Sequence, residues 1–204
     1  MHPIWTCLVV LALARPVAAQ TTWTRGDSLL LAQHASQTHD SKEHLEDPNW
    51  LAPFVPTPAP VVGATLELAE VGENDLVYDL GSGDGRIILA AAQSFRARSV
   101  GIEWNQALCE KTSLAVQRLG LEGRVKVIQG DIFEQDLRPA TVVTGYLLPK
   151  SWERLAPILE RQLRKGVRVV SVNDPIPGWR VVEKKQLKGE SGTTSWDLYL
   201  YRIR

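Results

Sequence analysis

Residues 77–87 read VYDLGSGDGRI, with Asp79, Gly81, Ser82, Gly83, Asp84 and Gly85 held between two apolar runs. Glycine has no Cβ, so three of them at alternate positions let a backbone turn sharply and approach a ligand. A turn between a strand and a helix is also where open α/β sheets bind ligands. A plain tight turn is the alternative, but three glycines at a helix start exceed what a turn needs. Two ligand classes compete for the loop. A dinucleotide asks for G-x-G-x-x-G/A, with the pyrophosphate on the helix N-terminus. Here the third glycine comes one residue early and Arg86 follows it. Asp79 and Asp84 would moreover repel a pyrophosphate. The same carboxylates suit a cation.

More acids follow in order. Glu103 closes SVGIEW (99–104), where a carboxylate can accept both hydroxyls of a ribose. Asp131, in QGDIF, is placed to accept the exocyclic amine of adenine, and Ile132 and Phe133 beside it can pack on the ring. Each acid alone reads equally well as a helix cap or a solvated turn residue. In this order, after three strands, the set fits S-adenosylmethionine, whose α-ammonium Asp79 is placed to meet. On the acceptor side the candidates are Tyr146, which could line a channel or pack in its strand, and Asn173 and Asp174, which could form a mouth with Trp179 or a proline-shaped turn. Thr57 either touches the donor or shapes a turn. His34, His39 and His44 recur every fifth residue, so they do not share a helical face and read as solvated, with no metal site expected.

These residues need a frame. The sequence predicts helices over 63–71, 85–96, 105–121 and 151–166, the last with Ser151 as N-cap. Strands are predicted over 75–80, 99–104, 124–132, 140–148 and 167–173, and 179–187 with 196–204 reads as an antiparallel hairpin. PFVPTPAPVV (53–62) reads as stiff and extended, because proline fixes φ and biases its predecessor. Alternating strands and helices imply βαβ units, a mostly parallel sheet and helices on both faces. The class is α/β, Rossmann-like.

The 204 residues suit one domain, and with 23 basic against 23 acidic side chains no global field attracts nucleic acid. Residues 1–19 read as a secretory signal: the apolar run Ile4–Ala14 falls short of the roughly 20 residues that span a bilayer, and Val17 and Ala19 precede Gln20 at a cleavage site. Export to the periplasm is the expectation. An uncleaved anchor through residues 4–14 is the alternative, since Met1-His2-Pro3 carries no Lys or Arg, and only then is membrane contact expected. Asp27 is a plausible N-cap of a short helix in the polar extension, residues 20–52. Cleavage would leave Cys109 alone, so no internal disulfide is expected.

The glycine loop with its ordered acids resembles class I S-adenosylmethionine-dependent methyltransferases across roughly 53–204. PFVPTP (53–58), VTGYLLP (143–149) and NDPIPGW (173–179) narrow the resemblance to the lysine methyltransferases that modify the adenine nucleotide translocase and the ATP synthase c-subunit, and to their bacterial relatives. The resemblance implies a seven-strand sheet, S-adenosylmethionine as donor and a protein partner offering an acceptor lysine. It also implies that PFVPTP covers the methionine end of the donor. The enzyme is expected to act as a monomer.

Overall fold

A computed structural model describes residues 51–189 and 192–204. The expectations for the signal segment, the Asp27 helix and the three histidines lie outside these residues, as does part of the hairpin tip.

The chain enters along a strap, residues 51–58, and turns into helix α1 (Ala59–Leu68). The extended reading of 53–62 is corrected for 59–62, which are helical. Pro58 sits at the N-cap and Pro60 in the first turn, where backbone N–H groups have no helical acceptor and proline costs nothing. Then follow β1 (Leu76–Leu80), α2 (Arg86–Ser94), β2 (Arg98–Glu103), α3 (Gln106–Arg118) and β3 (Val125–Gln129). A single 3-10 turn (Ile132–Glu134) leads to β4 (Val142–Gly145), α4 (Pro149–Gln162) and β5 (Arg168–Val172). The chain closes with β6 (Glu183–Lys188) and β7 (Ser195–Arg202).

The seven strands pair in the order β3-β2-β1-β4-β5-β7-β6. The first five are parallel, and β7 runs antiparallel between β5 and β6. The order reverses at β1, whose Val77 pairs with Ser99 of β2 on one side and Val142 of β4 on the other. That reversal point, at the carboxyl ends of the strands, is where this architecture opens a crevice.

Because side chains alternate along a strand, each face collects its own core. Val77, Val142, Val170 and Leu198 pack under α1 and α2 with Leu66, Ile87 and Ala91. Tyr78, Leu80, Val143, Val169 and Tyr201 pack under α4 with Trp152, Leu155 and Leu159. Ile88 and Leu89 of α2 meet Val116 of α3 and Val125 of β3. Helices therefore cover both faces, as expected.

Two boundaries depart from the sequence reading. The fourth strand stops at Gly145, so Tyr146, Leu147 and Leu148 leave the sheet. Helix α4 then opens at Pro149 with Leu148 as N-cap, and the Ser151 hydroxyl donates instead to Leu51 O on the strap. An apolar run has no period that marks where pairing ends. At the amino ends of the central strands, Arg168 donates to Ala69 O and Glu70 O at 2.7 and 2.8 Å and to the Asp75 carboxylate. Thr141 Oγ1 donates to the same carboxylate at 2.7 Å, tying the starts of β1, β4 and β5 together.

Candidate active site

At the carboxyl ends of β1, β2 and β4 the chain encloses a cavity walled by Thr57, Asp79, Gly81, Ser82, Gly83, Asp84, Glu103, Asp131, Ile132 and Tyr146. Strap residues 51–55 and Arg86, Trp104 and Leu147 complete the walls named here. Ten of the thirteen residues expected at the site are thus brought to one cavity. Gly85, Asn173 and Asp174 are not among the residues that wall it.

The glycine loop works by backbone. Gly81, Gly83 and Gly85 have φ of 74°, 55° and 78°, a region that side-chain-bearing residues rarely adopt. A Cβ on Gly83 would stand 2.5 Å from the Phe54 ring, so the strap lies directly on the loop. A Cβ on Gly85 would stand 2.2 Å from Thr112 Cγ2. The space beside Gly85 is therefore filled by Thr112 of α3, and Gly85 is not among the residues that wall the cavity.

Asp79 ends β1 almost completely buried and takes a hydrogen bond of 2.7 Å from Thr144 Oγ1 of β4. Burial raises its pKa from 3.8 to about 7, with the nearby Glu103 and Asp84 adding to the rise and the Thr144 bond opposing it. A cation brought beside this carboxyl would favour its ionised form again. Asp84 plays a different part from the one its sequence position suggests. Its two oxygens take Arg86 Nε and Nη2 at 2.8 and 2.5 Å, so its charge is already matched.

Glu103 serves the loop as well as the cavity. Oε2 accepts from Gly83 N at 2.8 Å and Oε1 from Asn105 N at 2.9 Å, which aims the carboxylate and leaves each oxygen further acceptor capacity. Asn105 Oδ1 in turn caps α3 through Leu108 N at 3.0 Å. Asp131 Oδ1 caps the 3-10 turn through Phe133 N at 2.9 Å, and Ile132 presents a buried apolar wall beside it. Trp104, half exposed, stands next to Glu103.

On the other side, Tyr146 Oη accepts from Asn173 Nδ2 at 2.5 Å. Asn173 has φ 66°, a left-handed conformation that asparagine tolerates better than most residues. Two bonds to Asp197 of β7 hold it there: Asn173 N donates to Asp197 O at 2.7 Å, and Asp197 N donates to Asn173 Oδ1 at 3.3 Å. Burial raises the Tyr146 pKa, the Asn173 bond opposes that, and Asp174 adds to it, so the phenol stays protonated near neutrality. Burial also raises Asp174. Trp179 packs edge-on against Tyr201, ring centroids 5.7 Å apart.

Sequence reasoning missed Thr144 and Trp104, and did not single out Phe54. Thr144 had a signal, a lone hydroxyl in the apolar run VVTG, and Trp104 had one, a tryptophan directly after a strand-end acid. Phe54 lies in PFVPTP, the segment that the resemblance places over the donor, but only the fold brings its ring over Gly83.

A nearly buried carboxylate at the end of the central strand, a second acid ending the next strand and a third after the strand beyond form one wall of a cleft roofed by the strap. The family model for the ANTKMT methyltransferase domain matches residues 79–183. The chain belongs to that methyltransferase family. A protein-lysine N-methyltransferase of Saccharolobus islandicus is 43% identical over 152 residues, covering 74% of this chain and 93% of its own. The adenine nucleotide translocase lysine N-methyltransferase of Mus musculus is 35% identical over 64% of this chain and 56% of its own. The chain thus spans little more than half of that mammalian relative. Among solved structures, an RNA methyltransferase from Salinibacter ruber in complex with S-adenosyl-L-homocysteine shares 44% identity and a TM-score of 0.69, covering 73% of this chain and 94% of that one.

Proposed function

We propose that this family member transfers a methyl group from S-adenosylmethionine to the side-chain amine of a protein lysine. The observation that carries the donor is Asp79, a carboxyl buried in the cavity wall with no basic side chain paired to it among the described residues. It would meet the donor's ammonium. Glu103 would take the ribose hydroxyls, Asp131 the adenine amine, and Ile132 and Trp104 the faces of the ring. Gly81, Ser82 and Gly83 would let the backbone approach, and Thr57 and Phe54 would close over the methionine end. Similarity to lysine methyltransferases supports the acceptor.

When bound, the donor supplies an electrophilic methyl carbon, which the amine lone pair takes as the carbon–sulfur bond breaks and its electron pair stays on sulfur. The protein's task is alignment, since holding two reactants in line is worth about 7–11 kcal/mol in intramolecular models. The amine must also shed its proton, against a solution pKa of about 10.4, and an apolar slot favours the neutral form. Leu147 and Tyr146 provide such a wall, Tyr146 Oη offers a hydrogen-bond partner to the amine, and Asn173 and Asp174 stand behind it. Calorimetric titration of the purified chain tests the donor directly. S-adenosylmethionine should bind and NAD should not; binding of NAD alone would overturn the reading.

A further inference from the structure

The strap is fastened at both ends. At Leu51 its carbonyl accepts from Ser151 Oγ of α4, and at Thr57 its carbonyl accepts from Arg86 Nη1. Between these points Phe54 lies against Gly83, and Ala52, Pro53 and Val55 roof the cavity. The geometry points to Arg86 as the positioning residue that latches the strap over the donor cavity, with Asp84 holding the latch instead of binding donor. This rests on the donor reading above.

The guanidinium is a planar fork whose five donors keep a fixed geometry. Asp84 engages Nε and Nη2 together, at 2.8 and 2.5 Å, and that bidentate pairing sets the plane of the fork. Nη1 is thereby aimed at the Thr57 carbonyl. The pair is well shielded, with side-chain exposures of 12% for Arg86 and 7% for Asp84. Asp84 also cancels a positive charge in the cavity wall that would otherwise repel a sulfonium. Arg86 is the first residue of α2 and follows the glycine loop directly, so the latch refers the strap to the loop on which the donor rests. Donor entry and exit through the roof require the Arg86–Thr57 bond to open.

Two measurements on the full chain test this: stopped-flow release of S-adenosylmethionine, and the rate of chymotrypsin cleavage after Phe54. Arg86→Lys keeps the charge beside Asp84 but loses the fork. The double variant Asp84→Asn/Arg86→Met removes both charges, so that no carboxylate at position 84 is left without its partner. Both should release donor about tenfold faster or more, the scale of one hydrogen bond to a charged group, and both should be cut faster at Phe54. In a Phe54→Gly background, Arg86→Lys should add nothing to the release rate, because the strap it latches is already open. Release and cleavage at the parent rates in both variants would overturn the latch, as would an undiminished effect of Arg86→Lys in the Phe54→Gly background. Should the parent chain bind no S-adenosylmethionine, the donor reading fails, and cleavage alone decides the latch.

Discussion

Asp79 carries the electrostatics of the site. In the ligand-free protein its carboxyl titrates at about 7 instead of 3.8, chiefly through burial, so a cation must either meet it ionised or drive off its proton. Donor affinity should therefore fall as pH drops below about 7, roughly tenfold per unit once the protonated form dominates. Asp79→Asn should bind more weakly and lose this pH dependence; a pH-independent affinity in the parent protein, measured by calorimetry between pH 5.5 and 8.5, would contradict the assignment. The sign for stability is opposite. The folded pKa lies above the unfolded one, so the folded state holds the extra proton between about 4 and 7 and the group's contribution to stability is lost as pH rises through that window. Bound donor should restore it. At this scale the sequence was informative about acids and silent about their partners. Asp79, Glu103 and Asp131 lie where their positions predicted, whereas the pairing of Asp84 with Arg86 depends on rotamers that spacing does not encode.

The elements divide the glycines by task. Gly83 faces the strap and the cavity, whereas Gly85 faces Thr112 of α3. Gly85→Ala combines a left-handed φ with a contact of 2.2 Å and should lower stability by about 1–3 kcal/mol, while the donor affinity of the folded protein changes little. Gly83→Ala should instead push Phe54 off the loop and weaken donor binding. Equal effects of the two variants on affinity would refute the division. The same distinction explains which elements were legible. Strands β1, β2 and β3 announce themselves by alternation or apolar runs bounded by turn residues, and the loop after β1 by its glycines. The start of α1 among prolines was hidden, because proline in a first turn and proline in an extended segment look alike in sequence. The end of β4 was hidden too, because VVTGYLL is apolar throughout while only its first half pairs.

For the whole molecule, the sheet separates stability from chemistry. The cavity opens at the carboxyl ends of β1, β2 and β4, while Arg168, Asp75 and Thr141 lock the amino ends of the central strands. Arg168→Met should cost about 2 kcal/mol in urea denaturation, as expected for hydrogen bonds to charged groups, and leave donor affinity within about twofold. A loss of affinity with unchanged stability would reverse that assignment. The α/β class and the parallel core followed from the alternation of elements, and the antiparallel close from the C-terminal hairpin. The order β5-β7-β6, with the last strand inserted beside β5, is a long-range pairing that local patterns do not specify. The acceptor is a lysine side chain in the proposed reaction. Incubation of the chain with methyl-labelled S-adenosylmethionine and protein fractions, followed by acid hydrolysis and amino-acid analysis, measures it. Label should be recovered as N-methyl-lysine. Label confined to nucleic acid or lipid would contradict it, as would donor that binds and is never transferred.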